Sequence, residues 1–274
     1  MKRAKQIIER LIFDRPIKIG TRVANRYEIC SFIGQGSYGL VYKVKDHELN
    51  DICVLKQARR SRKKSYLRSP FHYERISLQK LVLYSYFPNV REEIVENDHY
   101  FLAEDIIEGK TFEEIVFHDH KMYSVNEAFT ILQQLLEIVE VMHENQIVHR
   151  DLRLPNIIVN GDMIKVIDFG LSRSLVNQKK HVQLNSHQCI DEKPLMREIA
   201  PQSDLYALGH TTLFLLYSSF QPHNRKEESW EEELTLPNDA VSIIRKLLQR
   251  ETPYRTASEA RREVEAFLFN SITP

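Results

Sequence analysis

The chain has 274 residues, enough for one two-lobed domain or two small ones, and no repeat period runs along it. A composition of 42% hydrophobic and 28% charged residues excludes a disordered or membrane-embedded chain, and the balance of 38 basic against 38 acidic side chains excludes a whole-molecule attraction to nucleic acid or anionic lipid. Cys30, Cys53 and Cys189 are too few and too far apart for a disulfide framework or a paired zinc site, which points to a reducing compartment and a cytoplasmic protein.

Residues 1–26 read as an N-terminal extension. Its start is basic, but Glu9, Arg10 and Asp14 interrupt the apolar Ile7, Ile8, Leu11 and Ile12, and no small-residue cleavage site follows. A short amphipathic turn packed on the body of the protein is expected there rather than a secretory signal or a membrane contact. The longest apolar stretch, Thr211 to Phe220, is about half the roughly 20 residues a membrane-spanning helix needs.

Glycine is scarce, 8 in 274, and three of the eight crowd into Gly34, Gly36 and Gly39. A GxGxxG run followed by a helix would suggest a dinucleotide fold, but here Leu40-Val-Tyr-Lys-Val44 follows, β-branched and aromatic, and predicts a strand. Strand, glycine turn and strand make a hairpin able to lie over phosphates, although an ordinary hairpin turn has the same signature. A second strand, Ile52–Leu55, leads into Lys56, whose apolar flanks hold its stem. A lysine beside a phosphate needs a carboxylate to orient it, and Glu74 is the only acidic residue between Asp51 and Glu92. It sits in a helical pattern with Ile76, Leu78, Leu81 and Leu83 as the apolar face.

Ser124-Val-Asn-Glu127 is a capping box, and Val125, Phe129, Leu132, Leu136, Val139 and Met142 follow at helical spacing. Next comes the loop His149-Arg150-Asp151-Leu152-Arg153-Leu-Pro-Asn156. Two short strands, Ile157–Val159 and Ile164–Ile167, are joined through Asn160-Gly161 and end at Asp168-Phe169-Gly170. Such a hairpin brings Asn156 and Asp168 together, and two oxygen ligands on adjacent backbone segments suit magnesium, which takes few protein oxygens plus phosphate oxygens.

These motifs, in this order and at these intervals, resemble the protein kinases, most of all the small soluble bacterial kinases of serine and threonine. The resemblance implies an α+β, bilobal fold: a small antiparallel-sheet N-lobe with one main helix, and a mainly helical C-lobe. It implies an N-lobe over 27–103, a hinge over 104–109 and a C-lobe over 110–274, with 27–270 a single kinase domain. It implies ATP and magnesium as cofactors and a protein substrate with a hydroxyl acceptor, itself included. Lys56, held by Glu74, would bind the α and β phosphates, and Asp151, with Arg153 beside it, would accept the hydroxyl proton. Asn156 and Asp168 would hold the metal. Gly34, Gly36, Ser37 and Gly39 would cover the phosphates. Ile33, Val41, Val54 and Ile158 would sandwich the adenine, with backbone groups near Glu104 and Ile106 bonded to its edge. Ala103 would leave an open pocket behind the nucleotide, and Leu78 would stack against Phe169. Ser203-Asp204 through Gly209 would begin the central helix, whose aspartate pins the catalytic loop.

The sequence also departs from the family. No APE tripeptide is present, and the spacing suggests Glu192 as the surviving glutamate, paired with Arg255. Arg153 replaces the usual lysine, a planar fork in place of a point charge. Arg150 beside Asp151 could read a phosphate on Ser172, Ser174 or Ser186, or these could be plain loop serines. The basic run from Arg59 to Arg68 reads as a solvated loop or, failing that, as a docking surface for an acidic protein or nucleic acid. Trp230 reads as a packing anchor. The rival functional readings are a pseudokinase that binds nucleotide or partners without turnover, drawn from the missing APE, and a small-molecule kinase, disfavoured by Arg150 and the three-glycine loop.

Overall fold

The structure is a computed structural model that describes residues 14–36, 39–59, 64–176, 193–221 and 228–272, with the side chains of 64–69, 193–194 and 272 excepted. It divides into two compact units: Met1–Ile107 with Phe169–Leu171, and Glu108–Asp168 with Ser172–Pro274. The class is α+β, as the sequence implies.

In the first unit, alternating apolar residues build the strands β1 (Arg22–Val23), β2 (Tyr27–Gln35), β3 (Gly39–Asp46), β4 (Asp51–Ala58), β5 (Val90–Glu96) and β6 (His99–Asp105). They form one antiparallel sheet in the order β1-β2-β3-β4-β6-β5. The period of two sorts the side chains onto two faces. One face carries Tyr42, Val44, Cys53, Leu55, Phe101 and Ala103 into a buried cluster closed by Tyr27 and Ile29. The other carries Val41, Val54, Lys56, Leu102 and Glu104, because directly opposed residues of antiparallel strands share a face. Helix α1 (Lys64–Lys80) covers this second face, with Phe71 packed on Ala58 and Leu102. It ends one turn earlier than its apolar pattern suggests: Leu81 is buried, but Leu83 is 90% exposed.

A charge cluster centred on a buried aspartate ties the strand ends of this unit together. Asp46, without exposed surface, accepts two hydrogen bonds of 2.7 Å from Arg26 and one of 3.1 Å from Arg91, which also reaches Asp51 and Asp105. The Arg26 hydrogen bonds hold its carboxyl well below the usual range against the opposing effect of burial.

The second unit contains β7 (Lys110–Thr111), α2 (Phe112–Phe117), α3 (Val125–Glu144), β8 (Ile147–Val148), β9 (Ile157–Asn160), β10 (Met163–Val166) and β11 (Arg173–Ser174). The helices α4 (Lys193–Met196), α5 (Pro201–Tyr217), α6 (Trp230–Glu233), α7 (Asn238–Leu247) and α8 (Ala257–Ile272) complete it. The capping box forms as read: the Glu127 N–H donates to Ser124 Oγ, and the Ser124 N–H to Glu127 Oε2 at 2.8 Å. The buried stripe of α3, Phe129 through Met142, lies against α5 and α8, with Phe129 and Phe267 rings 4.5 Å apart. Helix α5 is buried nearly all round, and Gly209 lets α7 come close; a Cβ there would lie 3.0 Å from Leu247 and Leu248. Trp230 is buried, as an anchor should be. Among the described residues no helix is long and apolar enough to cross a membrane.

Candidate active site

In the first unit, Lys56 points from β4 toward α1, and its Nζ lies 2.5 Å from Glu74 Oε1. Glu74 is three residues beyond Phe71, so the packing that seats Phe71 on the sheet also turns Glu74 inward. The same Glu74 oxygen accepts the Phe169 N–H at 2.9 Å, which ties the start of Phe169-Gly170-Leu171 to α1. Leu78, one turn on, is buried as expected; the ring that meets Phe169 is Phe87, edge-on at 5.5 Å between centroids. Sequence reasoning missed Phe87, which lies beyond the helix in a stretch without periodicity.

Glu104 departs from the expectation. Ala103 lies opposite Leu55 and packs into the core cluster on the far face, so it opens no pocket beside Lys56. Glu104, opposite Val54, holds that position instead, and its Oε2 lies 2.9 Å from Lys56 Nζ. Residue 103 is one step out of phase, and in a strand one step is the difference between the two faces. Val41 and Val54 flank Lys56 on its face, while Ile33 is 55% exposed at the end of β2 and Ile106 is half-buried just past β6.

The glycine run forms the β2–β3 hairpin, with the Gly36 N–H bonded to the Gly39 carbonyl at 2.9 Å. Ser37, expected among the phosphate contacts, lies outside the described residues. Gly39 is required by the fold, because a Cβ there would strike the Gln57 carbonyl and meet the Phe71 ring. A Cβ on Gly34 or Gly36 would meet nothing within 4 Å. The hairpin is held by Arg59, which donates to the Gly36 carbonyl from Nε at 3.0 Å and from Nη2 at 2.6 Å, and to Asp14 Oδ2 from Nη1 at 3.2 Å. Arg59 and Asp14 are both buried, so Arg59 belongs to the glycine loop and not to an exposed basic patch. The side chains of the rest of that run, to Arg68, lie outside the described residues.

In the second unit, β9 and β10 pair from Asn160↔Met163 to Ile157↔Val166, and the Ile167 N–H donates to the Asn156 carbonyl at 3.0 Å. This pairing carries the hairpin register on to Asn156 and Ile167, the residue before Asp168. The two-residue turn is Gly161-Asp162, with Gly161 at φ +60° where glycine is favoured, so Asn160 is the last paired residue. The Asn156 amide donates to the Asp151 carbonyl at 2.9 Å and to Asp151 Oδ2 at 3.0 Å, which fixes the Asp151 carboxylate. With its nitrogen used in this way, Asn156 has its amide oxygen to offer a metal. One carboxylate and one amide oxygen are the hard donor set that magnesium takes together with phosphate oxygens. Arg153 Nε lies 3.4 Å from Asp151 Oδ2 on a largely exposed side chain. Ile158 is buried on β9. Arg150 and Asp168 sit at φ +67° and +66°, a left-handed conformation that costs a side-chain-bearing residue on the order of 1–2 kcal/mol.

Asp204, in the first turn of α5, supports this loop. Its Oδ2 accepts the His149 N–H at 2.9 Å, its Oδ1 accepts the Arg150 N–H at 2.8 Å, and His143 Nε2 lies 3.0 Å from Oδ2. Burial alone would raise its carboxyl, but the hydrogen bond and charge of His143, the charge of His149 and the Arg150 amide outweigh it and hold the carboxyl below the usual range. The His149 ring reaches the Ile167 carbonyl at 3.2 Å and accepts the Asp151 N–H at 3.3 Å, so the loop and the hairpin lock each other. His143 faces inward from α3 without any motif to announce it. Ser172 is wholly buried and unsuited as a phosphate acceptor; Ser174 is half-buried in β11, and Ser186 lies outside the described residues. The Arg150 guanidinium donates to the Arg197 carbonyl. Glu192 also lies outside the described residues, and with it the expected pair to Arg255.

Comparison with known proteins gives the same reading. The probable serine/threonine-protein kinase YbdM of Bacillus subtilis (strain 168) is 32% identical over 263 residues, covering 95% of this chain and 96% of that protein. The serine/threonine-protein kinase PrkC of the same organism is 29% identical over 242 residues, 86% of this chain but 35% of that protein. Cyclin-dependent kinase 11.1 of Caenorhabditis elegans is 30% identical over 62% of this chain and 24% of its own length. Residues 27–270 match the model of the protein kinase domain, so the chain belongs to that family and is a protein kinase.

Proposed function

We propose that this kinase transfers the γ-phosphoryl group of ATP, with magnesium, to serine or threonine hydroxyls of protein substrates, its own chain included. The observation that carries the reading is the clamp of Asn156 on Asp151 beside Asp168: a base oriented by the residue that would share the metal. The names of the two Bacillus relatives favour serine and threonine. The lobe boundaries expected from the sequence, 27–103, 104–109 and 110–274, are part of the proposal.

In this scheme Lys56, oriented by Glu74, engages the α and β phosphates. Gly34 and Gly36, which no packing requires to be bare, admit the phosphates close to the backbone, with Ser37 and Gly39 in the same loop. Val41, Val54, Ile33 and Ile158 line the adenine, and backbone groups near Glu104 and Ile106 bond its edge. Asn156 and Asp168 would hold magnesium, which would supply neutralisation of phosphate charge. Asp151 takes the proton of the substrate hydroxyl as its oxygen bonds to the γ phosphorus, and the bond from that phosphorus to the bridging oxygen breaks to release ADP. Arg153 neighbours Asp151 and steadies the incoming hydroxyl or the transferred group. Positioning and charge neutralisation account for the rate in such a mechanism.

The test is incubation of purified protein with γ-labelled ATP, magnesium and a generic basic protein, beside the Asp151→Ala variant. Label on phosphoserine or phosphothreonine with the natural chain, and at least a thousandfold less with Asp151→Ala at unchanged ATP binding, is the expected result. Turnover retained in Asp151→Ala, or ATP bound by the natural chain without transfer, overturns the reading; the second outcome would mark a pseudokinase.

A further inference from the structure

Lys56 is shared between two buried carboxylates. Glu74 reaches it at 2.5 Å and Glu104 at 2.9 Å, and the two acidic side chains are 1% and 3% exposed. The orientation of Lys56 needs only one of them. Glu74 comes from α1, and it also holds the Phe169 amide. Glu104 comes from β6, on the sheet face that carries Val41, Val54 and Leu102, where apolar neighbours are the rule.

We propose that the Glu104 side chain sets the affinity of this kinase for nucleotide phosphates, as a resident carboxylate that competes with them for Lys56. The inference rests on the reading that Lys56 engages the phosphates of ATP. Lysine has three N–H donors and one positive charge. Glu74 takes a hydrogen bond from the ammonium, and Glu104 adds a second carboxylate 2.9 Å from the same charge, where burial screens it poorly. A polyphosphate that approaches Lys56 meets the Glu104 carboxylate already on the ammonium and competes with it for that charge. Adenosine, which carries no phosphate, encounters no such cost. Glu104 is therefore a positioning residue that acts through Lys56, and it discriminates by ligand charge and not by pocket size.

The experiment measures binding of MgATP and of adenosine, and the KM for ATP, in the natural chain, Glu104→Gln, Glu104→Asp and Lys56→Met. Glu104→Gln keeps shape and removes charge; it should tighten MgATP about tenfold, lower KM by a similar factor, and leave adenosine binding within twofold. Glu104→Asp keeps the charge but draws it back from Lys56, and it should tighten MgATP less than Glu104→Gln does, with adenosine again within twofold. In the Lys56→Met background Glu104→Gln should lose most of its effect, as expected of two residues that act as one unit. Glu104→Met is the second neutral variant should the glutamine chain fail to fold, since an apolar replacement of a buried ion is often tolerated. MgATP affinity unchanged or weakened by both neutral variants, while Lys56→Met weakens it, overturns the proposal and leaves the functional reading standing. MgATP affinity and turnover both indifferent to Lys56→Met overturn the functional reading itself.

Discussion

Asp204 has no exposed surface and no contact with reacting groups in the proposed scheme, yet the loop that carries Asp151 is built on it. Its two oxygens accept two consecutive backbone amides, and the second belongs to Arg150, whose φ of +67° has to be held in place by its surroundings. Asp204→Ala leaves those amides and His143 without their buried acceptor and should cost about 3 kcal/mol of stability by urea denaturation at pH 7. The dependence on pH has a fixed sign. The folded-state carboxyl is depressed, so its contribution is fully present above the ordinary aspartate value of about 3.9 and is lost as pH falls through the lower folded value. The gap between natural chain and variant should be equal at pH 7 and pH 5 and should close only below about pH 4. A gap that changes between pH 7 and pH 5 would mean that the Asp204 carboxylate is not the group whose titration sets it.

At the level of elements, the glycine hairpin shows what a one-dimensional reading finds and what it loses. The motif, the strand after it and Lys56 were legible because turn chemistry and strand propensity are local. The α3 capping box and the β9–β10 hairpin were legible for the same reason. Glu74 was legible by elimination, being the only acid in its stretch. The Ala103 assignment failed because a strand repeats every two residues, so a slip of one exchanges core for site, and the uninterrupted run Phe101-Leu102-Ala103 gives no alternation from which to set the phase. The link from Asp14 through Arg59 to the Gly36 carbonyl was not legible, since it joins residues separated by 45 and 23 positions through burial that composition hides. That link makes a prediction about the hairpin. Arg59→Lys keeps a charge for Asp14 but loses the planar fork that makes both bonds to Gly36. It should raise the KM for ATP about fivefold with kcat within twofold, and Asp14→Asn should do the same more weakly; initial rates against ATP at fixed protein substrate check both. A fall in kcat at unchanged KM would mean that the hairpin is held by other contacts.

Across the whole molecule, the chain changes units between Asp168 and Phe169 and again after Leu171. Asp168, the proposed metal ligand, belongs to the helical unit, whereas the next residue is wholly buried in the sheet unit with its amide on Glu74 and its ring against Phe87. Glu74 therefore has two tasks that a substitution can separate. Glu74→Gln retains a carbonyl oxygen for the Phe169 amide but withdraws the charge from Lys56. Lys56 still has Glu104 at 2.9 Å, so no buried ammonium is left uncompensated and stability should change by less than about 1 kcal/mol. Activity should not be spared in the same way, because the remaining carboxylate comes from β6 and not from α1, and it aims the ammonium differently. We expect kcat/KM to fall about tenfold to a hundredfold in Glu74→Gln. Glu74→Ala removes both tasks: it should fall at least as far in activity and lose in addition about 2 kcal/mol of stability, through the unpaired Phe169 amide and the cavity left beneath α1. Kinetics and urea denaturation on the two variants together decide the matter. If Glu74→Gln destabilises the chain as much as Glu74→Ala, the charge and not the hydrogen bond anchors Phe169–Leu171, and Glu104 does not compensate Lys56 in the way its distance implies.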